Sequence, residues 1–332
     1  MSHHIHVPLD GSAYSAAAIP AAAAIAQRRG ATLHLVSVHT PAVVPLPLGG
    51  APALDRRFDE DLRDAHSQAL TRYAERLREE VGVSATWTVL EGEPAEAIVA
   101  EAQAQRAELI VLTTHGAGGF ARAWLGSVAD ELVRLSPTPV LLVRPGGAAA
   151  GAGGAPVMPP ASDADTLPVS DTTDAYEFRR VLVPLDGSAL GEEILEPALE
   201  LSAGDRTQYV LLRVVRVAPT AAPPEETFWT PREEEAIAAG REAAREYLDD
   251  VAERLRAGGC AVETVVVLDH EPARAILREA TERGVQLIAI STSARRGFTR
   301  MRLGSVADKV VRAAPCPTLL ARPRGAAEPV TR

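Results

Sequence analysis

Lysine is all but missing from this chain of 332 residues. Of 34 Lys plus Arg, Lys309 is the single lysine. A phosphate-binding loop ending in Gly-Lys-Ser/Thr therefore cannot be written anywhere, which excludes the P-loop nucleotidases. Schiff-base chemistry would have to rest on Lys309 alone. The arginine excess is read as genome composition rather than mechanism. Cysteine is equally scarce, with Cys260 and Cys316 far apart. Two such residues make neither a disulfide framework nor a zinc cluster, and they suit a reducing cytosol. Positive charge is in deficit: 34 basic against 44 acidic residues give a formal charge of −10. That argues against a broad nucleic-acid surface, which needs phosphates neutralised by cations. It leaves room for a local pocket that takes a small phosphate ligand. Long apolar runs are missing too; none approaches the roughly 20 residues of a membrane helix. The start, MSHHIHVPLDG, lacks the apolar core and cleavage signal of a secretory peptide. A soluble, cytoplasmic protein without membrane or nucleic-acid partners is expected.

What is present is ordinary globular composition, 46% apolar and 23% charged, at a length that suggests about two domains. The chain also repeats itself. His6-Val7-Pro8-Leu9-Asp10-Gly11-Ser12-Ala13 returns as Leu182-Val183-Pro184-Leu185-Asp186-Gly187-Ser188-Ala189. Leu125-Gly126-Ser127-Val128-Ala129-Asp130 returns as Leu303-Gly304-Ser305-Val306-Ala307-Asp308, and Ser136-Pro137-Thr138-Pro139 as Ala314-Pro315-Cys316-Pro317. The offset is 176 residues early and 178 late, far too long for a solenoid, so the repeat is a duplicated domain. Residues 146–177 are rich in Gly, Ala, Pro, Ser and Asp without apolar periodicity, and are expected to be a flexible linker. The organisation expected is a first domain over 1–145, that linker, a second domain over 178–323 and a tail over 324–332.

Within each copy, short apolar runs alternate with helical stretches. The strands expected in the first are Ile5–Leu9, Leu33–Val38, Ala85–Leu90, Leu109–Thr113 and Val140–Val143. Several are apolar at successive positions, as both-face burial in a parallel sheet requires. Leu62, Ala65, Ala69, Tyr73 and Leu77 fall at spacings of three and four and predict one apolar helical stripe. Pro94 suits the first turn of the third helix. Ser127 is expected to cap the fourth, with Val128, Leu132 and Leu135 on its buried face. The fold class is therefore α/β: two repeated domains, each a five-stranded, parallel, doubly wound, Rossmann-like sheet. Such sheets bind ligands at the carboxyl ends of their strands.

Two places there could carry chemistry. Asp10-Gly11-Ser12 follows the first strand; Asp10 can accept hydrogen bonds from a ligand, or Asp10 or Ser12 can simply close the first turn of the next helix. Thr113-Thr114-His115-Gly116-Ala117-Gly118-Gly119 follows the fourth strand, and Gly126-Ser127 begins a helix nine residues beyond Gly116. Glycines let backbone N–H groups approach a phosphate, and the helix start adds free N–H groups and a positive dipole end. A Gly-rich loop alone is a weak signal; coupled to the Gly-Ser helix start it becomes specific.

These residues resemble the universal stress protein family, whose nucleotide-binding members carry G-x2-G-x9-G-[S/T] after the fourth strand. Thr113-x2-Gly116-x9-Gly126-Ser127 matches with Thr113 in place of the first glycine. Gly92-Glu93-Pro94 matches the family's loop after the third strand, and Val-Pro-Leu-Asp-Gly-Ser its first strand. The likeness covers 4–144 and 180–323, a tandem member. It implies the adenine nucleotide alpha-hydrolase-like fold, with ATP or another adenine nucleotide and Mg2+ held through the phosphates. By that resemblance Pro8, Asp10 and the Val38 backbone would lie by the adenosine. Thr113, Gly116, Gly119, Gly126, Ser127 and Val128 would hold ribose and phosphates. It also implies an intrachain pseudo-dimer pairing Val140–Val143 with Thr318–Ala321, with further homodimerisation open.

The second copy keeps Asp186, Val214, Gly297, Gly304 and Ser305, but Ala294 replaces the counterpart of Gly116 and His270 that of Gly92. Arg295, Arg296, Arg300 and Arg302 crowd its loop. Phosphate clamping by guanidinium groups is one reading, and a degenerate site the favoured one. The function expected is an ATP-binding stress-response regulator acting mainly through the first domain. The alternatives are an interaction scaffold that binds no nucleotide, or a weak ATP hydrolase with His115 or Asp10 as water activator. No catalytic residue and no metal ligand is assigned. His3, His4 and His6 lack Cys or carboxylate partners in sequence, so a metal site there is disfavoured. The Pro-rich loops at 41–54 and around Phe228-Trp229 are candidates for lids.

Overall fold

The computed structural model describes residues 3–40, 43–44, 53–54, 56–114, 125–144, 176–202, 207–218, 229–292 and 303–323. The chain divides into two compact units, Met1–Tyr176 and Glu177–Arg332. The expected linker lies outside the described residues up to 175, as does the tail from 324.

The first unit is built on five parallel strands. They are β1 (His4–Pro8), β2 (Thr32–His39), β5 (Ala85–Glu91), β6 (Leu109–Thr113) and β7 (Val140–Val143), ordered β5-β2-β1-β6-β7. Ile5, Val7, Leu33, Leu35, Ile110, Val111 and Leu141 are fully buried, the continuous apolar runs that two covered faces demand. Helices α1 (Ala13–Ala16), α2 (Ile19–Arg29), α3 (Arg56–Arg76), α4 (Pro94–Ala104) and α5 (Ser127–Leu135) fill the crossovers. Every residue of α2 from Ile19 to Ala26 is buried. Its alanines carry no bulk, so the helix is enclosed on all sides, and Gly30 ends it in the left-handed conformation at φ +62°. Two short strands, β3 (Val43–Val44) and β4 (Ala53–Leu54), pair antiparallel.

The second unit repeats the plan. Strands β8 (Arg180–Pro184), β9 (Gln208–Arg216), β10 (Ala261–Asp269), β11 (Leu287–Ser291) and β12 (Thr318–Ala321) are parallel in the order β10-β9-β8-β11-β12. Helices α6 (Ala189–Glu192), α7 (Leu195–Leu201), α8 (Pro231–Ala257), α9 (Pro272–Glu282) and α10 (Ser305–Ala313) connect them. In both units the first and fourth strands are neighbours, and the chain leaves them in opposite directions across the sheet. That is the switch point at which a crevice opens.

Three local expectations need correction. In α3, Ala65 is exposed; the inward face runs through His66, Leu70, Tyr73 and Leu77. The expected stripe stepped over His66 because an imidazole does not count as apolar. The N-cap of α5 is Gly126, not Ser127, which occupies the first helical position. A residue without a side chain takes the cap because the backbone there passes close to another strand end, as described below. The buried face of α5 is Ala129, Leu132 and Val133, whereas Val128 and Leu135 are partly exposed, so the inward stripe is turned from the expected one and keeps only Leu132.

Candidate functional site

The switch point of the first unit lies between β1 and β6. Beyond Pro8, the chain turns through Asp10, exposed, and Gly11 at φ +79°. The Ser12 hydroxyl and N–H donate to Asp10 Oδ1 at 2.5 and 3.0 Å. Ser12 Oγ in turn accepts the Ser15 N–H at 3.2 Å, capping α1. Ser12 is thus the cap, and Asp10 stands behind it. The second unit reproduces the turn: the Ser188 hydroxyl and N–H donate to Asp186 Oδ1 at 2.6 and 3.0 Å, and Ser188 Oγ takes the Gly191 N–H at 3.0 Å.

The start of α5 is pinned to the end of β6. The Thr114 N–H donates to the Val143 carbonyl at 3.1 Å, and the Gly126 N–H to the Thr114 carbonyl at 2.8 Å. The second unit makes the same pair, Thr292 N–H to Ala321 at 3.0 Å and Gly304 N–H to Thr292 at 2.8 Å. A Cβ on Gly304 would come 3.1 Å from the Thr292 carbonyl oxygen, a contact tight enough that the backbone would have to give, so the close approach favours glycine. Gly126 has the same backbone, φ −57° and ψ 149° against −57° and 144°.

The end of β2 lies beside the Asp10 turn. The Leu9 N–H donates to the Val36 carbonyl at 2.7 Å. Parallel-ladder alternation turns the Val38 N–H and C=O to that same side, past the end of β1. Beside Val38, Ser37 Oγ lies 3.2 Å from His66 Nδ1 on α3, and His39 Nε2 lies 2.8 Å from Asp59 Oδ1. Burial, then His39, hold His66 below the usual imidazole value, with Asp10 pulling the other way. In the second unit the residue matching Ser37 is Arg213, whose Nη1 donates to the Leu185 carbonyl at 3.2 Å. Tyr247 of α8 faces it; burial and Glu192 push the phenol well above its ordinary value.

Of the expected site residues, Pro8, Asp10, Val38, Thr113, Gly126, Ser127 and Val128 all lie at strand ends or at the α5 start on the carboxyl edge of the first sheet. Asp186, Val214, Gly304 and Ser305 hold the matching places in the second. Thr113 is the last residue of β6 and its side chain is buried. Gly116, Gly119, His115, Gly297, Ala294 and the four loop arginines lie outside the described residues. His270 does not take the left-handed backbone of Gly92, which sits at φ +120°. Sequence reasoning missed Ser37, His66 and Arg213. Their signal was positional: Ser37 and Arg213 stand beside Val38 and Val214 near the carboxyl end of the second strand of each unit, and His66 packs against Ser37.

A tandem pair of doubly wound α/β units, each with a Gly-Ser helix start at its switch point, defines the class of protein. The universal stress protein family model matches residues 1–144 and 177–322, and the chain belongs to that family. It is 28% identical over 323 residues to a universal stress protein of Mycolicibacterium smegmatis, covering 96% of this chain and 97% of that one. It is 39% identical over 140 residues to a universal stress protein of Thermus aquaticus, covering 41% of this chain and 93% of that one. Among solved structures, a universal stress protein from Archaeoglobus fulgidus matches with a TM-score of 0.61 at 18% identity, over 97% of this chain and 99% of that one; this likeness is one of fold.

Proposed function

We propose that the first unit binds an adenine nucleotide, ATP foremost, and that occupancy sets the protein's conformation or its choice of partner in a stress response. The observation that carries the reading is the Gly126–Thr114 bond, which brings the free N–H groups of α5 to the switch point beside the Asp10 turn. Val38 supplies donor and acceptor on the base side, where Ser37 is small. Mg2+ would reach the site on the phosphates, bridging their oxygens. The second unit is read as degenerate, because Ala294 stands in place of the loop glycine. For that unit an interaction role without nucleotide is the better reading. The acidic composition and the scarcity of cysteine suit a cytoplasmic setting.

The test is a calorimetric titration of the nucleotide-free chain with Mg-ATP. One site per chain is expected. Gly126→Val should abolish it, because a branched Cβ must push the α5 start away from Thr114. Gly126→Ala should weaken it, and thermal melts should show both variants folded. Unchanged affinity in Gly126→Val would reject the reading.

A further inference from the structure

Gly11 and Gly187 hold the same left-handed backbone, φ +79° and +82°, in the same Asp-Gly-Ser turn. What lies over them differs. A Cβ built on Gly11 meets nothing within 4 Å among the described residues. A Cβ built on Gly187 meets Arg213 Nη2 at 3.2 Å, Cζ at 3.4 Å and Nη1 at 3.5 Å. All three atoms belong to one guanidinium, so its plane lies across the turn.

The register explains the difference. The Leu185 N–H donates to the Leu212 carbonyl at 2.9 Å, as the Leu9 N–H does to Val36 at 2.7 Å. The residue one step beyond that bond is Arg213 in the second unit and Ser37 in the first. Ser37 is short and buried against His66. Arg213 is long enough to cross the strand ends and bind the Leu185 carbonyl at 3.2 Å. A guanidinium engaged with the backbone of its own turn is a filler rather than a waiting anion receptor, and it stands next to Val214, the strand position that faces the base in the first unit's reading.

We infer that Arg213 closes the second unit's cleft to a nucleoside, and that the Ser37/Arg213 difference decides which unit is open. The inference rests on the proposed first-unit site. The glycine loop and the strand end then act separately: the loop sets how well phosphates are held, and Arg213 sets whether the base and ribose can enter at all. Displacing the side chain means giving up its bond to Leu185 and exposing a carbonyl now partly covered. Its five donors also offer no acceptor to the exocyclic amine of adenine.

The experiment titrates the full chain with Mg-ATP in three forms: wild type, Arg213→Ser and Ser37→Arg. Arg213→Ser should gain one site per chain over wild type. Ser37→Arg should weaken the first-unit site at least tenfold, with a thermal melt to establish folding; if that variant does not fold, Arg213→Ser decides alone. Stoichiometry unchanged in Arg213→Ser, or affinity unchanged in a folded Ser37→Arg, overturns the inference. The two readings separate cleanly. A wild type that binds one nucleotide with an unchanged Arg213→Ser leaves the first-unit site standing and removes the plug. A wild type that binds none beside an Arg213→Ser that binds one does the reverse.

Discussion

A histidine in the middle of a sheet core is costly, and His6 shows why. It is fully buried, and among the described residues neither ring nitrogen has a hydrogen-bond partner. Its ring centroid lies 4.8 Å from that of His34, its neighbour in the parallel register. His34 Nδ1 meets Thr86 Oγ1 at 2.8 Å, and Glu101 Oε1 from α4 stands 3.3 Å from Nε2. Burial first, then His34 and His4, lower His6 to about 3; His34 is also lowered, by burial against the pull of Glu101. The folded-state value lies below the unfolded one, so the unfolded chain takes up the proton first. Stability is therefore full above about pH 6.5 and falls as pH drops towards 3. The matching residues of the second unit are Leu182 and Val210, with no such liability. His6→Leu should therefore flatten the acid limb of the first unit's melting curve, retaining about 2 kcal/mol near pH 5 that the wild type loses. Parallel acid limbs in the two proteins, followed by circular dichroism from pH 7 to 4, would refute it. The sequence displayed His6 plainly. It did not display His34 beside it, because strand register is set by the sheet rather than by neighbours along the chain.

The loop after the third strand separates what elements reveal locally from what they do not. The Pro94 start of α4 was legible, and α9 begins at the matching Pro272. The loops before them differ in kind. The first turns on Gly92 at φ +120°, a conformation that side chains resist. The second, with His270, turns on a buried carboxylate: Asp269 Oδ1 accepts the Glu271 N–H and an Arg274 N–H, both at 2.9 Å, and Arg278 lies 3.4 Å from Oδ2. Burial works to raise Asp269, but the Glu271 N–H and Arg274 together hold it below the usual carboxylate value. The matching Glu91 is exposed and meets Arg63 at 2.7 Å. Asp269→Ala should cost about 2–3 kcal/mol, since charge-assisted bonds to a buried acceptor are lost and the Glu271 N–H is left without its partner. Glu91→Ala should cost under about 0.5 kcal/mol, as an exposed pair does. Urea unfolding of the two variants checks the contrast, and equal losses would show that Asp269 does not anchor the loop. The strands themselves were read correctly because both-face burial leaves unbroken apolar runs. The stripe of α3 and the cap of α5 were misplaced because His66 faces inward and because a close backbone approach, not a hydroxyl, fixes Gly126.

At the scale of the whole chain, duplication was the most legible feature, and asymmetry the least. The repeated motifs announce two domains of one fold, and each unit carries five parallel strands and buried apolar residues of its own. The glycine spacing pointed to one strong and one weak loop, but the occupant of the second cleft came from a strand residue that no motif contains. If Arg213 and the loop together leave a single nucleotide site, binding must stabilise one unit alone. A ligand at one hundred times its dissociation constant adds about 2.7 kcal/mol to the state that binds it. For a domain of roughly 150 residues that shifts a melting midpoint by about 5–10 °C. Differential scanning calorimetry should therefore resolve two transitions, of which saturating Mg-ATP raises one by that amount and leaves the other within a degree. Gly126→Val should remove the shift, and Arg213→Ser should make both transitions move. Both transitions rising together in the wild type would mean two open clefts, and would remove Arg213 as the residue that closes the second.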